Sequence, residues 1–351
     1  MKFSSITATL RAGLLVALIA ALSGGCYLLQ SAQGQLSLMS RREPIASVIA
    51  RADTPPPLRA ELTAVAEIRD FATQSLKLPD NGSYRSYADV KRRYVVWNVV
   101  SAPEFSVTPK EWCYPIVGCV AYRGYFVEAR AEKFAQQQRA LGLDVAVGGV
   151  AAYSTLGHFD DPILNTMLGW NDVELAAIIF HELTHQLLYV ANDASFNEAL
   201  ATTVEAEGVK RWLTAQGREQ DLKEHLQDEQ RYLEVVNLLN ATRARLDALY
   251  ATAGSPEDKR AAKRAEFARL RRDYEELQRR FGGHAPFEAW FSGEINNAHL
   301  ASVATYFKCV PGFERELAAV NGDLPAFYRR VKELAKWDQK ARDELICGAS
   351  Q

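Results

Sequence analysis

Apolar positions divide the chain before any chemistry is considered. Between Glu174 and Val190 they return at helical spacing through Leu175, Ile178, Ile179, Leu183 and Leu187, dense enough for a buried helix. Asn171 followed by Glu174 makes an N-cap for it. A second helix is expected over about Asn197 to Leu213. A third runs from Leu58 to Leu76, where Leu62, Val65, Ile68 and Phe71 keep the same period. Tyr94 to Val100 is β-branched and aromatic and reads as a strand; Phe126 to Leu141 reads as a helix stopped by Gly142. Leu143 to Ser154 alternates but is interrupted by Gly148 and Gly149, so it is two short strands or one kinked one. Asn81 to Tyr87 is turn-like, and Trp112 to Tyr122 is loop and short strand.

The second half is mainly helical. Residues 217–281 are highly charged, with Leu222, Leu226, Tyr232 and Val236 on one arm and Phe267, Leu270, Tyr274 and Leu277 on the other. Gly254-Ser255-Pro256 breaks them into an antiparallel helical hairpin, suited to covering a cleft or to binding a protein partner. Leu317 to Leu345 is helical again. The expected class is α+β, predominantly helical: a core with a small mixed sheet, and the hairpin as an insertion.

With 351 residues, 48% hydrophobic and 24% charged, the chain is long enough for one large domain. A formal net charge of −2 gives no electrostatic case for nucleic acid. Residues 1–25 read as a targeting segment: Lys2 and Arg11 are its basic start and Ala12 to Leu22 its apolar run, short for a spanning helix. Ser23-Gly24-Gly25-Cys26 resembles a bacterial lipobox, which makes Cys26 the expected site of lipid attachment. Tyr27 rather than Asp follows it, so the expected location is the periplasmic side of the envelope, on the outer membrane more than the inner. Residues 26–57, ending in a run of prolines, are expected to be a tether, and 58–351 the folded domain. In an exported protein the four remaining cysteines suggest disulfides Cys113–Cys119 and Cys309–Cys347.

The chemistry concentrates in His181-Glu182-Leu183-Thr184-His185. Residues four apart share a helix face, so both imidazoles can reach one Zn²⁺ ion, with Glu182 beside it as a base for a metal-activated water. Histidine is scarce here, six in the chain, which makes a chance occurrence of this pattern uncommon. A catalytic zinc needs a third protein ligand, and both Glu198 and Glu205 lie on one face of the following helix. The alternative for Glu198 is a capping box with Ser195. An oxyanion donor is also required, and Tyr306 is the first candidate, His299 the second. His158, His225 and His284 have no partner spacing and read as surface residues.

His181 to Gln186, followed by Ser195-Phe196-Asn197-Glu198-Ala199-Leu200-Ala201, resembles the gluzincin metallopeptidases, most of all the aminopeptidase N group. It is also similar to bacterial lipoproteins described as aminopeptidases, a likeness covering most of the chain. The resemblance implies a zincin-like core, one zinc ion, His181, His185 and Glu198 as ligands, Glu182 as base and Glu205 behind a ligand histidine. Distance from His185 alone points instead to Glu205, but loop length varies freely and the Asn-Glu-Ala context is the better guide. In gluzincins an edge strand placed like Val150 to Ser154 binds the substrate backbone. Residues 150–157 lack the acidic residue that holds an α-ammonium in that group, so Asp160 and Asp161 would substitute for it or simply cap Ile163.

The expected function is therefore a zinc-dependent peptidase, an aminopeptidase by resemblance, acting on peptides. The alternatives are an endopeptidase or amidase of the envelope on the same site, and a non-enzymatic scaffold lipoprotein. The intact Glu182 argues against the last.

Overall fold

The computed structural model describes residues 27–114, 118–152, 154–303 and 309–348. The fold is α+β and predominantly helical, about 60% helix with small mixed sheets.

The N-terminal part differs from the expectation of a tether. Helix α1 covers 27–39, strand β1 is Glu43–Pro44 and helix α2 is Ile45–Ala50. Leu38, Ile45 and Val48 enter the main core, so this stretch belongs to the folded body. The proline run is not a linker either: Pro56 and Pro57 open helix α3, Pro56–Gln74, where a missing N–H is tolerated. Strand β2, Ser86–Ala88, pairs antiparallel with β1 and parallel with β8, Ile163–Leu164.

A second sheet has the order β6-β3-β7, with β3 Val96–Pro103 central, β6 Tyr122–Tyr125 and β7 Leu143–Val150. Both neighbours are antiparallel, and Trp97 faces Tyr125 on one side and Gly149 on the other. Residues 143–150 form one continuous strand, not two. Between β3 and β6 the hairpin of β4, Trp112–Tyr114, and β5, Gly118–Val120, is closed by the Cys113–Cys119 disulfide. Helix α4, Glu128–Ala140, lays Ala131 and Ala135 on this sheet beside Val99 and Val145.

Helices α5, Asp172–Leu187, and α6, Ala194–Ala215, form the centre. Asn171 accepts from the Glu174 amide at 2.9 Å, and Glu174 accepts from the Asn171 amide at 3.0 Å, so the expected capping box starts α5. Leu175, Ile179, Phe180 and Leu183 bury against Leu62, Val65 and Ile68 of α3 and against Leu200 and Val204 of α6. The helices approach closely where Gly208 lies: a Cβ there would stand 2.7 Å from the Phe180 ring and 2.8 Å from Leu76.

Helices α7, Glu219–Ala251, and α8, Pro256–Arg280, are the two long arms, with Ser255 capping the second. Val236, Leu239, Leu246, Leu270 and Tyr274 form a separate core between them, shared with Ile295 and Phe291. Leu226, expected inside, is 50% exposed. Lys263 bonds Asp144 at 2.6 Å, tying α8 to the start of β7. Short helices α9, Glu288–Phe291, and α10, Asn297–Val303, follow, then α11, Val310–Ala319, α12, Leu324–Leu334, and α13, Gln339–Arg342. The Cys309–Cys347 disulfide joins the start of α11 to the last turn.

Candidate active site

Helix α5 places His181 and His185 one turn apart, and α6 brings Glu198 opposite them. Nε2 of His185 stands 3.2 Å from Nε2 of His181, which stands 3.3 Å from Oε2 of Glu198; Glu198 Oε1 is 3.8 Å from His185 Nε2. These three side chains can hold a metal ion, their ligand atoms all lying within 4.8 Å of one another. The separations fit one. A tetrahedral ion with bonds of about 2.0–2.2 Å keeps its ligand atoms roughly 3.3–3.6 Å apart.

The donor chemistry points the same way. Glu205 Oε2 takes the Nδ1–H of His181 at 2.9 Å, leaving the Nε2 lone pair to face Glu198 and His185. Two imidazole nitrogens and a carboxylate converge there in a buried place, a donor set that suits a cation. Burial resists a proton on His181, but the bonds to Glu198 and Glu205 outweigh it and raise its pKa well above the ordinary value. His185 is pushed down to about 4 by burial and then by His181. A proton on His181 thus disfavours a second one on His185.

The third ligand's helix is held from several sides. Asp193 caps α6 by accepting from the Phe196 amide at 3.1 Å, so Ser195 is not the cap and Glu198 is free of a capping box. Asp193 also receives Nε and Nη2 of Arg342 at 3.0 and 2.6 Å, a buried pair reaching from the far end of the chain. Asn197 clamps the connection from α5 by bonding both the N–H and the C=O of Val190 at 2.8 Å. Ala199 and Ala201 are fully buried, and their small size lets α6 come close.

Glu182 stands one step round α5. Burial raises its pKa, opposed by His181 and the Ser154 hydroxyl and reinforced by Glu198 and Asp161. The segment after β7 therefore passes beside this carboxylate at Ser154; Tyr153 lies outside the described residues. The far end of α5 is fixed through Gln186, which receives Asn81 at 2.7 Å and bonds Ser83 at 3.2 Å. That loop is in turn held by the buried guanidinium of Arg69, which donates to the carbonyls of Ser83 and Pro79 at 2.9 and 2.8 Å.

Several expectations change. Asp161 does not cap Ile163: it is 1% exposed and accepts from the amide and hydroxyl of Thr155, so it braces the loop that follows Ser154. It is therefore not poised to meet a substrate amine, and its pKa is pushed up to about 6, chiefly by burial. His299 has partners of its own: its Nδ1 accepts from the Asn296 amide at 3.2 Å, and its ring edges against Trp290. Among the described residues nothing brings His299 to His181 and His185. Tyr306 lies outside the described residues, as do Cys26 and the leader. His225 is not a surface residue; it is half-buried on α7, with Nε2 3.6 Å from Glu229. Glu229 itself is pushed up to about 7 by burial and by Glu205, which puts this face of α7 beside the carboxylate that holds His181.

Tyr189 was not singled out by its sequence. Its ring edges against His185 at 6.3 Å between centroids, and after burial the nearby Glu198 raises its pKa. It lies beyond the end of α5 at Leu187, after the extended Leu188, so helical spacing from His185 gives no signal for it.

A family model described as "Putative aminopeptidase" matches residues 26–346. The chain belongs to this family. No curated protein and no solved structure matches it. Membership in the aminopeptidase family supports a peptidase at the coarse level. The matched span contains the whole His181–Glu205 constellation, the hairpin and Arg342.

Proposed function

We propose that the chain is a zinc-dependent aminopeptidase of the gluzincin kind, attached by lipid at Cys26 and acting on peptides at the periplasmic face of the envelope. The observation that carries the proposal is the convergence of His181, His185 and Glu198 at separations a tetrahedral ion requires, with Glu182 alongside. Two imidazoles and one carboxylate make an N/O set that suits zinc and leaves a coordination position open. Bound there, zinc supplies a Lewis acid that lets a water lose its proton near neutral pH.

The chain's own residues do the rest. Glu182 accepts that proton and passes it to the leaving amine; its raised pKa brings it nearer the working pH, where a base that must also act as an acid is most useful. Glu205 fixes the His181 ring in the tautomer that presents Nε2. Tyr189, beside His185 and Glu198, is the hydroxyl we assign to the developing oxyanion. Among the described strands β7 pairs only with β3; Asn296 takes the Val145 carbonyl and Thr166 the Ala151 carbonyl, so it is the stretch between them, residues 146–150, that we assign to an extended peptide.

One observation favours an endopeptidase on the same site: residues 150–157 contain no carboxylate, and Asp161 is committed to Thr155. Digestion of matched peptides with free and acetylated N-termini separates the two. An aminopeptidase loses the acetylated substrates. Equal cleavage of both overturns the exopeptidase assignment and leaves the endopeptidase.

A further inference from the structure

The residue after Cys26 is not on a leash. Tyr27 stacks on Tyr114 with centroids 5.4 Å apart, lies under the Arg123 guanidinium at 4.0 Å, and its hydroxyl accepts from the Gly124 amide at 3.2 Å. Helix α1 continues this attachment. Gln30 is buried and donates to the Gly124 carbonyl at 3.2 Å, Gly34 lies flat on the Phe126 ring, and Leu38 enters the main core.

The opposite face of α1 is exposed and carries Leu28, Leu29, Ala32 and Leu36 beside the uncharged Gln33 and Ser37. Leu28 is 51% exposed, Leu29 59% and Leu36 70%, and Leu29 and Leu36 are seven apart and therefore share a face. No charged residue occurs between Tyr27 and Ser40; Arg41 and Arg42 come directly after. Among the described residues no helix is long and apolar enough to span a bilayer. An uncharged helical stretch with outward leucines, next to the proposed lipid attachment site, fits the interfacial layer of a membrane.

We propose that the Leu28–Leu29–Leu36 face of α1 lies in the lipid surface, so that the body is held against the bilayer in a fixed orientation. This rests on the lipid-anchor part of the proposed function. The lipid provides retention and the helix provides orientation, so the test must read orientation and not binding strength alone.

The experiment uses the full chain isolated from membranes and placed in phosphatidylethanolamine/phosphatidylglycerol vesicles. A polarity-sensitive fluorophore is attached at Leu36→Cys and, in a second variant, at Ser255→Cys on the hairpin tip. Both positions are exposed; Ser255→Cys gives up the cap of α8, a loss of about 1 kcal/mol, and circular dichroism checks that both variants are folded. Expected is quenching of the Leu36 label, but not the Ser255 label, by lipids carrying a quencher on the upper acyl chain. Replacing Leu28 and Leu29 by Ser is expected to cut that quenching several-fold. Mass spectrometry of Cys26 is read on the same sample. An acylated Cys26 with Leu36 as water-exposed as Ser255 overturns the docking and leaves the anchor standing. An unacylated Cys26 with Leu36 still quenched supports the docking and removes the anchor. A Leu36 label already shielded without vesicles, in a concentration-dependent way, overturns the membrane assignment in favour of a second copy of the chain.

Discussion

Glu205 stands 2.9 Å from Nδ1 of His181, whereas Glu198 faces Nε2 of the same ring at 3.3 Å. The two carboxylates thus address opposite nitrogens of one imidazole. Only one of those nitrogens also faces His185, so Glu198 is suited to the metal and Glu205 to the ring behind it. Glu198→Ala is expected to abolish tight zinc binding. Glu205→Ala is expected to weaken it by about 10–100-fold, the usual cost of removing a partner that orients a ligand. Competition with a chromogenic chelator measures both; if Glu205→Ala empties the site and Glu198→Ala does not, the two roles are exchanged.

The buried Asp193–Arg342 pair ties the helix that carries Glu198 to the end of the chain. Removing one member leaves the other buried and uncompensated, at a cost of about 3–5 kcal/mol. Arg342→Leu should therefore lower stability to urea by that amount. The double change with Asp193→Asn should recover a good part of it, because Asn removes the stranded charge and still caps α6. A double variant no more stable than Arg342→Leu would show that the charge pairing is not what matters.

Asp161 gives a pH dependence with a definite sign. Its pKa is raised from 3.8 to about 6, mainly by burial, so between these values the folded protein keeps a proton that the unfolded chain has released. Stability is then lost, not gained, as pH rises through that window. Asp161→Asn cannot titrate and should gain on the wild type by roughly 2–3 kcal/mol between about pH 4 and pH 7. Denaturation curves at both pH values check this, and a constant difference between the two proteins would contradict it.

What could be read from the sequence was local. The period of α5, its capping box, the arms of the hairpin and the pairing of the four cysteines all follow from spacing over short stretches. Helix α1 is not legible there because its outward leucines blur the helical pattern, and the proline run suggests a spacer although it opens α3. What holds the site is not legible there either. Arg342 and Asp193 are 149 residues apart, and nothing near either names the other. Arg69, fully buried and bonded to carbonyls, resembles any helix arginine until the loop it pins is seen. His225 has Glu229 one turn along its own helix, which suggests a solvated pair, but Glu205 comes from α6, and only packing shows that this face is half-buried.

The central claim is that Glu182 works as a base beside a metal held by His181, His185 and Glu198. The most direct measurement pairs metal content with peptide hydrolysis for the wild type and Glu182→Gln, with and without chelator. Expected is a full complement of zinc in both proteins, turnover reduced by about three or more orders of magnitude in the variant, and chelator-sensitive activity in the wild type. Zinc-loaded Glu182→Gln that cleaves peptides within a few-fold of the wild-type rate would contradict it.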